Sequence, residues 1–264
     1  MTRMTSERAA DSIVCTDLSI AHTTGRGGQE RVVDGVSFTV ARGGALVLIG
    51  ATGSGKSTLA AVLAGNAGAG VSVVGGDALV EGVSVRRPGR RLRMLTVLTG
   101  YLAQSDGATL PARLTVGEIV AEPVTSRQRK VNARALSFRA ATLLDELGLP
   151  LGVVGKFPYE LSAGMRQRVA LARMLMLEPR LVIADEPLAN LDVEARETVR
   201  AALSRRQHED GLSLLLVAHE SETATRFDAD VLALQAGHAV GFGHGVDRMT
   251  WTPSSEADRR LVSS

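Results

Sequence analysis

The most explicit chemistry in the chain lies in nine consecutive residues: Gly50-Ala51-Thr52-Gly53-Ser54-Gly55-Lys56-Ser57-Thr58. They satisfy the pattern G-x-x-x-x-G-K-[ST], whose glycines let the backbone wrap until successive N–H groups point at one anion. Lys56 adds mobile positive charge for the β and γ phosphates of a nucleoside triphosphate, and the Ser57 hydroxyl is a ligand for Mg²⁺. A second pair of groups, Asp185 and Glu186, ends the apolar run at 181–184. An apolar strand ending in two acids sets carboxylates at the carboxyl edge of a sheet, beside the phosphate loop. There Asp185 holds Mg²⁺ through water, and Glu186 orients or deprotonates an attacking water. These two stretches predict hydrolysis of a nucleoside triphosphate.

Such groups need a rigid frame. Apolar runs at 45–49, 181–184 and 212–218, the last broken only by Ser213, suit strands buried on both faces, as in a parallel sheet. The first of them runs straight into the phosphate loop, and the apolar text at 59–63 reads as the helix that follows it. Between the runs, residues 131–147 place Leu136, Ala140, Leu143 and Leu147 on one helical face, with Gly148 positioned to close it. Residues 193–207 form another amphipathic candidate. Buried strands alternating with helices predict a parallel α/β sheet. The stretches 12–48 and 70–100 are β-rich with glycine turns. Within the first, strands at 12–22 and 32–40 are joined by a turn at 23–30. Residues 105 to 160 are mostly helical. The expected fold is a mixed α/β core of P-loop type with a small antiparallel β portion. A helical subdomain at about 105–164 is inserted in a domain spanning 12–245, between a loosely ordered start (1–11) and a tail (246–264).

Composition narrows the classes. Of 264 residues 45% are apolar, enough for a large core and too many for a disordered chain. Thirty basic residues against 28 acidic leave +2, no field that argues for nucleic acid. The single cysteine, Cys15, rules out an internal disulfide and a cysteine-built metal centre. No apolar run approaches the ~18–20 residues that span a bilayer, and MTRMTSERAAD has no apolar stretch of secretory type. The expected place of work is therefore the cytoplasm, with any attachment to a membrane supplied by other chains.

The segment Leu161-Ser162-Ala163-Gly164-Met165-Arg166-Gln167-Arg168 narrows the field further. It resembles the LSGGQ signature of the ATP-binding cassette (ABC) ATPases. The other family motifs occur in the family's order: Gln104 in Tyr101-Leu-Ala-Gln104, Ala189-Asn-Leu-Asp192, and His219 in Leu216-Val-Ala-His219-Glu220. The resemblance implies ATP and Mg²⁺, with Glu186, His219, Lys56 and Gln104 as catalytic groups and Ser57, Gln104 and Asp185 around the metal. It adds Ser162, Gly164 and Asp192 to the nucleotide site of a head-to-tail dimer, in which one chain's signature closes on the other's γ-phosphate. Ser162 also reads as the cap of a helix whose free N–H groups and dipole face outward. The text around 114–123 and 157–168 is similar to the subfamily that energises dipeptide, oligopeptide and nickel importers. That implies an ATPase subunit at the cytoplasmic face of the cell membrane, docked through its helical insertion on separate permease subunits. A second ATPase subunit and an extracytoplasmic solute-binding protein complete the implied complex. An exporter would share every catalytic motif; a soluble cassette acting on DNA or ribosomes is a further alternative.

Departures from the family pattern set further expectations. Ala163 replaces a glycine and costs on the order of 1 kcal/mol if positive φ is needed there. Met165 replaces glutamine, as in the importer subfamily, whereas the C-terminal cysteine cluster of many members is missing. The position of the family's adenine-stacking aromatic is held by His22, a smaller platform. The run Arg86-Arg87-Pro88-Gly89-Arg90-Arg91-Leu92-Arg93 reads as a solvated turn rim, with contact to lipid head groups or a partner as the alternative.

Overall fold

A computed structural model describes residues 11–23, 28–128, 130–218, 222–245 and 248–251. The expected loose start and tail lie almost wholly outside these residues, as does the middle of the expected turn at 23–30.

The central element is a seven-stranded sheet. Its parallel part is made of β3 (Ala45–Ile49), β6 (Thr99–Leu102), β7 (Leu181–Asp185), β8 (Ser213–Val217) and β9 (Asp230–Gln235). β10 (His238–His244) and β11 (Thr250–Trp251) add antiparallel edges, giving the order β11-β10-β9-β3-β8-β7-β6. β8 is thus threaded between β3 and β7, which precede it in the chain. A second, four-stranded antiparallel sheet has the order β2-β1-β4-β5, from β1 (Asp11–Thr23), β2 (Gln29–Ala41), β4 (Val71–Val80) and β5 (Val83–Ser84).

The apolar strands alternate between two cores. Leu46, Leu48, Leu181, Ile183, Leu215 and Val217 face the antiparallel sheet and helix α1 (Lys56–Leu63), packing with Ile13, Leu18, Ile20, Leu59 and Leu63. Val47, Val182, Ala184, Leu214 and Leu216 face the other way, toward the helices. This is why the runs carry no polar alternation: both faces are covered. Cys15 is buried in the first core, where burial pushes its thiol up to about 12.

The second core packs under a helical layer: α3 (Val116–Thr125), α4 (Ala133–Glu146), α5 (Ala163–Leu175) and α6 (Val193–Asp210). Capping sets the starts. Thr115 and Glu118 form a reciprocal capping box on α3, and Asn132 accepts from the Ala135 N–H on α4. Gly148, at φ +69°, follows the end of α4. Arg168 of α5 donates to the Leu147 and Gly148 carbonyls there (3.3 and 2.7 Å), and Glu146 receives Arg205 and Arg206 of α6. The layer is thus tied together by charge-assisted bonds at its rim as well as by its apolar floor.

The β-rich stretch expected at 70–100 holds β4, β5 and the start of β6, but between them a 3₁₀ turn (Gly89–Arg91) leads into a short helix, α2 (Leu92–Leu98), whose Leu95 is fully buried.

Candidate active site

The phosphate loop leaves β3 and enters α1, and its glycines are there for identifiable reasons. Gly50 (φ +146°) passes so close to the Leu234 carbonyl oxygen that a Cβ would collide with it. A Cβ on Gly55 (φ +98°) would sit 2.6 Å from the Val32 carbonyl oxygen. Both positions demand a left-handed backbone and an absent side chain at once. Lys56 is nearly buried, and its ammonium donates to the Gly50 and Ala51 carbonyls at 2.8 Å and to Ser54 Oγ at 3.3 Å. Burial pulls its pKa below the ordinary lysine value, while the carboxylates of Asp185 and Glu186 pull the other way. Thr52, Gly53, Ser54, Gly55, Lys56, Ser57 and Thr58 line a cavity of about 190 Å³ together with Val32, Gln104, Glu186 and Val217.

Asp185 is buried at the carboxyl end of β7, in register with Val217 of β8. Glu186 follows at φ +50°, a left-handed conformation that costs a non-glycine residue roughly 1–2 kcal/mol. Its N–H donates to the Val217 carbonyl at 3.1 Å and its carbonyl accepts from Ala189 N–H at 3.1 Å, which holds the turn. Glu186 also borders a second cavity of about 300 Å³, lined by Pro187, Asn190, Arg196, Arg200 and Thr223. Gln104 lies exposed in the turn after β6 and reaches the phosphate-loop cavity. Ser57 and Gln104 line that cavity and Asp185 is not among its lining residues; all three carry oxygen donors, the kind Mg²⁺ prefers.

Other expected residues are placed elsewhere. Ser162 is the N-cap of α5, its hydroxyl accepting from Met165 N–H at 3.1 Å, and it is exposed together with Ala163. Ala163 is the first helical residue and does not have positive φ, so the penalty considered for alanine there does not arise. Gly164 is required by crowding instead: a Cβ would lie 2.9 Å from the Asn190 carbonyl oxygen. Asp192 caps α6, accepting from Ala195 N–H at 2.8 Å. His22 sits near the end of β1, paired with Glu30 and Val71, and does not line the phosphate-loop cavity; Val32 of β2 does. His219 lies outside the described residues.

The sequence reading missed the clamp behind the loop. Gly237, at φ +83° in the turn between β9 and β10, donates to the Ser54 carbonyl (3.2 Å), and its own carbonyl accepts from Asp34 N–H (2.9 Å). A Cβ on it would meet the Val32 carbonyl at 2.6 Å. The available signal was the Ala236-Gly237 pair between two apolar runs, a hairpin turn.

Comparison with known proteins agrees with this geometry. The family described as ABC transporter matches residues 33–189. The chain belongs to that family, and it is an ATP hydrolase of the ABC type. It is 33% identical over 237 residues to the oligopeptide transport ATP-binding protein OppF of Escherichia coli, covering 89% of this chain and 69% of that protein. It is also 33% identical over 244 residues to OppD of Mycobacterium tuberculosis, covering 90% of this chain but 38% of that longer protein. Among solved structures, the dimeric post-hydrolysis state of the ATP-binding cassette MJ0796 bound to ADP and Pi superposes with a TM-score of 0.79. It is 22% identical and covers 92% of this chain and 100% of that one.

Proposed function

We propose that the chain is the ATPase subunit of a peptide importer. It hydrolyses ATP to ADP and phosphate to drive solute through separate permease subunits. The reading rests on one observation: Lys56, Ser57, Gln104 and Glu186, from three separate stretches, converge on one cavity at the carboxyl edge of the sheet. The loop amides and Lys56 bind the β and γ phosphates and balance charge as the γ-phosphoryl bond breaks. Glu186, held at the cavity by its strained turn, takes the proton of the attacking water or fixes its direction. Mg²⁺, when held by Ser57, Gln104 and Asp185, supplies charge neutralisation at the phosphate oxygens.

The direction and the cargo class follow the relatives, whose names are those of oligopeptide transport and peptide import proteins. Exposed Ser162 and Ala163, at the start of a capped helix, are the surface offered to the nucleotide of a second ATPase subunit. Among the described residues no helix is long and apolar enough to cross a membrane. This supports a peripheral subunit at the cytoplasmic face that docks on the permease through its helical insertion. An importer also requires an extracytoplasmic solute-binding protein. His219 and Asp192 complete the proposed site around the γ-phosphate.

Replacing Glu186 by Gln should leave ATP binding intact and slow hydrolysis by roughly 10²–10⁴-fold, about 3–5 kcal/mol of barrier. Near-normal turnover in a single-turnover assay would remove Glu186 from that role. Uptake of labelled oligopeptides into vesicles carrying the reconstituted complex tests direction and cargo together.

A further inference from the structure

Five arginines fall within eight residues: Arg86, Arg87, Arg90, Arg91 and Arg93. They follow the chain as it leaves β5, passes Pro88 and the 3₁₀ turn, and enters α2, and all five are exposed. Among the described residues none of the five is in an ion pair. Arg31, Arg42, Arg139, Arg173, Arg200, Arg205 and Arg206 each meet a carboxylate. The hydrogen bonds made within the strip stay local: Arg86 Nη1 donates to the Gly76 carbonyl at 3.2 Å. Asp77, which receives the Arg86 backbone N–H, also takes the Ala78 N–H and the Ser84 hydroxyl. It is occupied with shaping the turn.

Two apolar side chains stand in the same strip, Leu92 at 37% and Met94 at 44% exposed. Leu95, one residue on, is buried and anchors α2. Leu92 also packs toward Gly65, so the strip offers cations and the exposed tip of Met94 together on a fixed element. Removing its five arginines from the 30 basic residues leaves 25 against 28 acidic. The rest of the chain is net negative, so an anionic surface attracts this strip and repels the remainder, which orients the protein. Aromatic residues are absent from residues 85–98, so a base-stacking surface has no support. The far side of α2, through Thr96 and Val97, forms one wall of a groove shared with Tyr101, Asp106, Glu122 and Arg173 of the helical side.

We propose that residues 86–94 form a membrane-facing strip that binds the anionic phospholipid headgroups of a bilayer. The guanidinium groups pair with lipid phosphates, while Met94 enters the headgroup layer. This adds to the proposed transport role a contact made by this chain itself, and it does not depend on the peptide cargo.

The test is co-sedimentation of the purified full chain with vesicles of phosphatidylglycerol and phosphatidylcholine in equal parts, against phosphatidylcholine alone, with ATPase activity measured on the same samples. Binding to the anionic vesicles alone, weakening as salt is raised, is expected. The combined variant Arg90→Gln, Arg91→Gln, Arg93→Gln should lose at least ~10-fold of vesicle affinity with unchanged basal ATPase activity and melting temperature. Met94→Gln should lose less. Equal binding to neutral vesicles, or no loss in the arginine variant, overturns the proposal. Displacement by millimolar inorganic phosphate would make the strip a small-anion site instead. A variant that leaves vesicle binding intact but weakens assembly with permease subunits would make it an acidic-protein contact. Loss of ATPase activity in the parent chain would count against the proposed function and leave the vesicle result standing.

Discussion

The two segments proposed to face phosphate, the loop at 50–58 and the helix start at 162–165, are built in opposite ways. The loop is enclosed. Its glycines take left-handed conformations, its backbone presses on the Val32 and Leu234 carbonyls, and Lys56 is nearly buried. The helix start is open. Ser162 and Ala163 are exposed, the backbone there is ordinary, and a hydroxyl cap makes the first bond. The first site is complete within one chain and admits little change. The second is one wall without an opposite wall, and its tolerance should depend on whether a second subunit is present.

Substitutions sharpen that contrast. Lys56→Ala should have the largest effect, lowering ATPase turnover by more than ~10³-fold, about 4 kcal/mol, through lost phosphate binding and charge balance. Residual activity near the parent value would mean that the loop amides suffice. Gly55→Ala follows: positive φ and the Val32 carbonyl together should cost about 3 kcal/mol of stability, read by urea unfolding. Ser162→Arg should act only between subunits. Nucleotide binding by the lone chain stays, while ATP-dependent dimerisation, read by light scattering, weakens by ~100-fold or more. Normal hydrolysis by a strictly monomeric variant would dismantle the composite site. The smallest effect belongs to Ala163→Gly, which restores the family's usual residue yet should destabilise the chain by about 0.5–1 kcal/mol, because this is the first turn of an ordinary helix. Stabilisation instead would mean that the site wants a left-handed backbone.

Much of the site was legible because its chemistry and its frame share one stretch of text. Residues 45–63 contain strand, loop and helix in order, and 181–186 contain strand and acids. Legibility failed where distant residues decide. Leu92–Leu98 reads as extended text, yet it is helical because Leu92 and Leu95 pack against the chain at Gly65, where a Cβ would come within 2.9 Å of both. Val32 of β2 lines the phosphate-loop cavity, a placement that its own stretch of text does not announce. Gly237 is some 180 residues from the loop that it supports, and no local pattern announces such a contact.

The contact at Gly237 bears on where the chain tolerates being cut. The stretch that defines the family ends at residue 189, yet β8 and β9, which flank β3, and the hairpin bond to Ser54 all come later. A shortened protein ending near residue 230 would keep every residue proposed to touch nucleotide and still lose the brace beneath the loop. Limited proteolysis there should silence an enzyme whose catalytic groups are all intact.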